Sequence, residues 1–98
     1  MVEFAVVPDR LALVNIDVQR CFVSDSPLAC PGAPALIPHV NRIAEVCRRA
    51  GILVVHVRHV LNADGSNAGV LGEISPIVMQ GIIAAGSESA ALHADLVV

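Results

Sequence analysis

The residue best placed for chemistry is Asp17, a carboxylate at the end of an apolar run. Residues 11–16 are apolar except for Asn15, and Asp17 follows them directly. A short, nearly continuous apolar run is typical of a strand buried on both faces in a parallel sheet. Ligands bind at the carboxyl ends of such strands. Asp17 could therefore act as a general base or a metal ligand, or it could cap the following loop, as an isolated Asp commonly does.

The chain contains three cysteines, of which Cys21 lies near Asp17. Cys21 lies four residues after Asp17, and a thiol near a carboxylate has a raised pKa, which makes it a poor nucleophile. We therefore predict that Cys21 packs in the core or lines the pocket wall, with a nucleophilic role as the alternative. Cys30 lies in a turn and Cys47 on the buried face of a helix, so both are predicted to be structural.

Two strands and one helix are expected to position Asp17. Strand one is residues 11–17 and strand two is residues 52–57. Between them, apolar side chains recur at spacings of four and three, which predicts an amphipathic helix from about Ala35 to the stop at Gly51. These side chains are Leu36, Val40, Ile43, Cys47 and Ala50. Strand, helix and strand in this order predict a right-handed βαβ unit with a parallel pair.

The other segments give weaker signals. Residues 1–10 are predicted to be an irregular arm, and residues 20–32 and 62–72 to be loops. Residues 74–85 are predicted to form a short helix with Ser75 as its cap and Pro76 in its first turn. Residues 87–93 could form another helical turn capped by Ser87.

A strand followed by Asp17, Gln19 and Phe22 resembles the opening motif of the isochorismatase-like cysteine hydrolases. This family includes nicotinamidases, N-carbamoylsarcosine amidases, ureidoacrylate amidohydrolases and isochorismatases. Further similar features follow in chain order: Asn-Arg-Ile-Ala from Asn41, Arg-x-Ala-Gly ending at Gly51, and Arg58-His59 after strand two. The resemblance implies an α/β fold, a three-layer αβα sandwich with a Rossmann-like parallel sheet. Residues 1–98 would be the N-terminal part of one such domain.

The resemblance also implies a catalytic triad of Asp, Lys and Cys acting on a small-molecule substrate. The Asp takes the thiol proton, the thiolate attacks a carbonyl carbon, and water then releases the acid from the thioester. Asp17 matches the family Asp, but the 98 residues contain no lysine. The Lys and Cys are therefore expected outside this chain, on a companion polypeptide or in a missing C-terminal region.

Phe22 and Arg58 are the predicted substrate-binding residues. The resemblance suggests that Phe22 lines the pocket, and a role as core anchor is equally open. Arg58, with His59, could approach an acidic group of the substrate, although an ordinary surface ion pair is an equal alternative. Gln19 is expected to fasten backbone near the site.

No metal and no cofactor are predicted. His56 and His59 are three residues apart, so on a strand they would point to opposite faces. Nicotinamidases carry an Asp-x-His metal motif just after strand two, and those places hold His59 and Leu61 in this chain. Leucine cannot ligate a metal.

The expected function is hydrolysis of a non-peptide C–N bond in a small amide, ureido or carbamoyl compound. Two alternatives remain open. One is vinyl-ether hydrolysis of the isochorismatase type, which lacks the Cys in this family. The other is a non-catalytic assembly subunit or pseudoenzyme. The residue at the family's Cys position would discriminate C–N bond hydrolysis from vinyl-ether hydrolysis.

Composition bounds the partners. Of the 98 residues, 55% are hydrophobic, which is more than a domain of this size can hide alone. We therefore expect a companion polypeptide or a homo-oligomer. A net charge of −3 and two aromatic residues argue against nucleic-acid binding. No apolar stretch reaches 18 residues, no secretory signal is visible and the cysteines are odd in number, so we expect a cytoplasmic protein without a membrane span.

Overall fold

Two parallel strands organise the computed structural model, which describes residues 3–98. Strand β1 is Ala12–Ile16 and strand β2 is Leu53–Val57. They pair in a register that runs from Ala12 opposite Leu53 to Ile16 opposite Val57. Both predicted strands and their parallel pairing are confirmed. Each begins one residue later than predicted, and Asp17 lies just beyond the end of β1.

A short helix, α1, spans Arg20–Val23. It corrects the prediction of a loop over residues 20–32. These four residues contain no glycine or proline, and the turn signals begin only at Ser24. The helix buries Cys21 and Val23, so tertiary packing supports a helix that is too short to show a period in the sequence.

The crossover helix, α2, spans Ile37–Arg49 and follows a 3-10 turn at Ala33–Leu36. Pro38 lies in its first turn, as predicted. Gly51 follows the helix with a φ of +79°, the left-handed conformation that commonly ends helices. The predicted helix is confirmed, although its first residues form the 3-10 turn.

The buried face of α2 is rotated from the predicted one. Ile37 and Ala44 are buried, and Val40 and Cys47 are half-buried. Leu36 and Ile43 were predicted to be buried but are 60% and 53% exposed; Ala50 is also exposed. Leu36 lies in the 3-10 turn, where three residues rather than 3.6 complete a turn, so it does not share the phase of the helix.

The two faces of the sheet differ in exposure. Leu13, Asn15, Val54 and His56 are half-buried on one face. Because α2 contacts both strands, it covers this face. The opposite face is mostly exposed and apolar: Ala12, Val14, Ile16, Leu53 and Val57.

The second half of the chain departs from its prediction. Helix α3 is Val70–Ile74, which begins in the predicted loop and ends at the first residue of the predicted helix, and a 3-10 helix occupies Pro76–Gln80. The single helix predicted over residues 74–85 was wrong for two reasons. Pro76 holds Ser75 in a non-helical conformation (φ −138°, ψ 75°), and Gly81 ends the 3-10 helix with a φ of +85°.

Residues 87–93 contain a turn at positions 88–90 and an isolated bridge at Leu92 rather than a regular helix. The Ser87 hydroxyl accepts a hydrogen bond from the Ala90 N–H at 3.2 Å, as a cap would. Cys21, Leu61, Val78 and Ile83 form the buried core cluster of this region.

The arm before β1 is irregular apart from a 3-10 turn at Pro8–Arg10. Met1 and Val2, which the arm prediction also covered, lie outside the described residues. No helix within residues 3–98 has the length and apolar character needed to cross a bilayer.

Candidate functional site

Asp17 lies at the carboxyl edge of the parallel pair. Its N–H donates to the Val57 carbonyl at 2.9 Å, so the strand ladder continues one residue past β1. Its φ is +61°, the single positive φ of a non-glycine residue within residues 3–98. Aspartate tolerates this left-handed conformation better than most residues, and such conformations cluster at functional sites. The bend turns the chain from β1 towards α1.

Asp17 is half-buried and lines a pocket of about 160 Å³. The other lining residues are apolar and come from the strand end, α1, the 3-10 turn and the first turns of α2. They include Val18, Val23, Ala33, Leu36, Ile37 and Val40. The site is therefore a carboxylate at the edge of a small apolar pocket. These residues could not be recognised as a pocket lining from the sequence, because the sequence shows only that they are apolar.

Two larger hollows lie away from this edge. One of about 500 Å³ lies along α2 and is lined by Arg42, Arg48 and Val97, among others. Another of about 320 Å³ is lined by Arg20, Asp25 and neighbouring residues. Neither includes Asp17, so the smaller pocket is the candidate site.

Gln19 fastens the backbone beside Asp17. Its side chain is fully buried. Its Oε1 accepts the His59 N–H at 2.7 Å. Its Nε2 donates to the carbonyl of His59 at 3.0 Å and to that of Ala90 at 2.7 Å. All three bonds go to main-chain groups, which confirms the prediction for Gln19.

Cys21 belongs to the core rather than to the pocket. It is fully buried against Leu61, Val78 and Ile83. Burial raises the pKa of its thiol, and the charge of Asp17 adds to this in the same direction. The packing prediction is confirmed. Cys30 is exposed and Cys47 half-buried, and both are free thiols.

Arg58 lies at the same sheet edge as Asp17, because it follows directly on Val57. It is exposed. Phe22 in α1 is half-buried and packs against the core cluster, which is the contact expected of a core anchor. The structure brings Asp17 and Arg58 to one edge, while Phe22 does not line the pocket beside Asp17. Substrate contacts of Phe22 and Arg58 stay predictions.

Leu61 is buried in the core cluster, with 6% of its surface exposed. Its N–H donates to the Ile83 carbonyl at 2.8 Å, and its own carbonyl accepts the Ala85 N–H at 2.7 Å. Within residues 3–98, no three His, Cys, Asp or Glu side chains are grouped so that they could hold a metal ion.

A polar cluster near the end of α1 was not predicted. Arg20 Nε donates to Asp25 at 2.9 Å, and Ser24 lies 3.5 Å from His93 Nε2. Hydrogen bonds from Arg20 and then Ser24 hold the pKa of the Asp25 carboxyl below its usual range. The Asp95 N–H donates to His93 Nδ1 at 3.2 Å. A neutral His93 then carries its proton on Nε2, so it cannot accept a proton from Ser24.

Comparison with known proteins finds a matching family. The family model of the isochorismatase domain matches residues 11–98 of this chain. An N-carbamoylsarcosine amidase from Arthrobacter sp is 34% identical over 61 residues, which are 60% of this chain and 23% of that protein. The chain thus spans about a quarter of this curated relative.

Two solved structures share the fold. A cysteine hydrolase from Pseudomonas syringae pv. phaseolicola 1448A superposes with a TM-score of 0.90 at 22% identity, covering 99% of this chain and 46% of that one. An isochorismatase family protein from Desulfovibrio vulgaris subsp. vulgaris str. Hildenborough gives 0.77 at 31% identity, covering 90% and 47%. The predicted α/β class is confirmed.

Proposed function

Because the chain belongs to the isochorismatase domain family, we propose that it forms part of a hydrolase. The proposed enzyme cleaves a non-peptide C–N bond of a small amide, ureido or carbamoyl compound. The observation that carries this proposal is Asp17, a carboxylate in a left-handed conformation at the carboxyl edge of a parallel pair and beside a pocket. The likeness to an N-carbamoylsarcosine amidase supports the choice of a C–N bond.

In the proposed reaction Asp17 is the general base. Its carboxylate accepts the proton of a thiol, and the thiolate forms a bond to the substrate carbonyl carbon. The C–N bond breaks, and the proton held by Asp17 passes to the leaving nitrogen. A water molecule then gives a proton to Asp17 and its oxygen to the thioester, which releases the acid and restores the thiol.

The thiol in this reaction comes from outside the 98 residues. Cys21 is buried in the core and the pKa of its thiol is raised, so it is a poor nucleophile. The sequence also holds no lysine to offset the charge of the thiolate. We therefore assign the Cys and the Lys to a companion polypeptide or to a further part of the domain.

Arg58 is the proposed partner for an acidic group of the substrate. Its side chain is exposed and begins at the edge that Asp17 occupies, and a guanidinium can pair with a carboxylate through two hydrogen bonds. Phe22 would contact the substrate through the part of its ring that the core cluster leaves uncovered.

The test is Asp17→Asn in the complete domain. Asparagine keeps the size of the side chain and tolerates the left-handed backbone, but it cannot accept the thiol proton. We expect turnover to fall roughly 10²–10⁴-fold, the usual size of a general-base contribution. The measurement is ammonia release from a panel of carbamoyl, ureido and simple amides.

Asp9→Asn is the matched control, because Asp9 is exposed in the arm and loses the same charge. It should retain wild-type turnover. Full activity of Asp17→Asn, or equal losses in both variants, would remove Asp17 from the mechanism.

A further inference from the structure

The apolar residues of the pocket beside Asp17 take no part in the proposed chemical steps, yet the pocket has a floor and a rim. Val23 and Ile37 form the floor, with 5% and 3% of their surface exposed. Leu36 and Ile16 also line the pocket and are 60% and 65% exposed, which places them at its rim. The pocket is therefore a recess that opens to solvent next to the carboxylate.

The charge of the lining selects the kind of group that can enter. Asp17 is the one charged residue among those that line the pocket. An anionic group would be repelled by its carboxylate. A cation would pair with Asp17 and stabilise the ionised form at the expense of its basicity. An uncharged aliphatic group avoids both effects and gains from burial against valine and isoleucine.

The volume limits the size of that group. A pocket of about 160 Å³ has room for roughly five groups of the size of a water molecule, each with a share of about 30 Å³ in the liquid. A short aliphatic chain fits this space.

We propose that this pocket binds a short, uncharged aliphatic group of the substrate beside the scissile C–N bond, and that Ala33 and Val40 set the length of that group. The inference rests on the proposed function and narrows its substrate class to aliphatic amide or ureido compounds. Ala33 lies in the 3-10 turn and Val40 in α2, and both are half-buried in the lining.

Two opposite substitutions test the pocket. Ala33→Leu adds three carbons and fills it, whereas Val40→Ala removes two carbons and enlarges it. The readout is kcat/KM of the complete domain for primary amides with acyl chains of two, four and six carbons. A change of one methylene in an apolar pocket is commonly worth 10-fold or more.

We expect Ala33→Leu to lower the four-carbon to two-carbon ratio of kcat/KM about 10-fold, and Val40→Ala to raise the six-carbon to four-carbon ratio about 10-fold. Ala35→Leu and Val46→Ala are matched controls on the same elements. Ala35 is exposed and Val46 is 60% exposed, and neither lines the pocket. Their ratios should equal those of the wild type.

The outcomes separate the inference from the proposed function. Hydrolysis with unchanged ratios in both pocket variants would overturn the inference, because the substrate chain then does not contact this pocket, and the proposed function would stand. A variant that fails to fold cannot imitate the result, since the two variants must shift selectivity in opposite directions.

If the wild type hydrolyses no compound of either panel, the proposed function is wrong and binding decides the inference. Butyramide is then titrated into the complete domain while the methyl resonances of Val23 and Val40 are followed. Saturable shifts that Ala33→Leu abolishes and Ala35→Leu retains would support the pocket. Unshifted methyls would overturn it.

Discussion

Gln19 is the residue on which the edge beside Asp17 depends most. We predict that Gln19→Ala lowers the free energy of unfolding by at least about 1 kcal/mol. The substitution leaves the buried carbonyl of Ala90 without its partner, at a cost of roughly 1–3 kcal/mol, and it removes two partly buried hydrogen bonds to the His59 main chain. Urea denaturation of the complete domain measures the loss. Gln80→Ala, at an exposed position, should be close to neutral; equal stability of the two variants would contradict the prediction.

The thiols offer a second test at this scale. Cys30 is exposed, whereas burial raises the pKa of Cys21. At a given pH the Cys21 thiol therefore holds less thiolate than an ordinary cysteine, and its burial also shields it from the reagent. We expect iodoacetamide near neutral pH to label Cys30 first and Cys21 only after unfolding, as mapped by peptide mass. Modification of Cys21 before Cys30 would contradict the burial described above.

At single positions, some structural features could be predicted from the sequence and others could not. The place of Asp17 at a strand end and the main-chain contacts of Gln19 could be predicted from one motif. The partners of Gln19 could not, because His59 and Ala90 lie far along the chain. The positive φ of Asp17 could not be predicted, since an aspartate after a strand is compatible with several turn conformations. The apolar residues of the pocket could not be distinguished from core residues, because both appear in the sequence only as valine, isoleucine, leucine and alanine.

Within the sheet, Asn15 and His56 are polar residues that we expect to lower the stability of the strand pair. They lie opposite each other in the register. Within residues 3–98, Nδ2 of Asn15 and both ring nitrogens of His56 are buried without a hydrogen-bond partner. We predict that the double variant Asn15→Leu, His56→Val is more stable than the wild type by about 1 kcal/mol, because exchanging both polar groups for apolar ones removes their desolvation cost.

The single variant His56→Val is the control, because it still leaves the Asn15 amide buried. It should gain less than the double variant in thermal and urea unfolding. Destabilisation by the double variant would show that the pair makes polar interactions that stabilise the domain.

Predictability also differed between elements. The strands and α2 have clear periods and stop signals, and Gly51 marked the end of the helix correctly. Helix α3 is five residues long, too short to show a period. Residues 74–85 looked helical because they are apolar, yet Pro76 and Gly81 divide them, and the contacts of Val78 and Ile83 with Cys21 and Leu61 fix their path. Such contacts across the chain cannot be read locally.

At the scale of the whole molecule, the uncovered sheet face is the surface expected to promote self-association. Val14, Ile16 and Leu53 are 47%, 65% and 64% exposed, and contiguous exposed apolar surface promotes association. We predict that residues 1–98 expressed alone self-associate with rising concentration, as measured by light scattering after size exclusion. A monodisperse, cooperatively melting and active 98-residue protein would show that this chain needs no further polypeptide.

Threonine substitutions test whether this sheet face causes the self-association. Val14→Thr with Leu53→Thr keeps strand propensity while making this face more polar, and it should reduce association. Val70→Thr with Ile74→Thr changes two side chains of α3 that are 67% and 75% exposed. This control pair should leave association unchanged, and equal effects of the two pairs would rule out the sheet face as the origin.

The amide of Gln19 pairs with both main-chain groups of His59, as a neighbouring strand would, and it also reaches Ala90. These partners are 40 and 71 positions away along the chain. Contacts of such long sequence separation form late in folding, since a large loop must close first. Opening of these contacts below the global unfolding transition would be a local event. Hydrogen–deuterium exchange at the His59 amide would then report the undocking of the distant turn at Ala90. Asp17 itself would stay on the strand pair in that event, because its own N–H donates to the Val57 carbonyl.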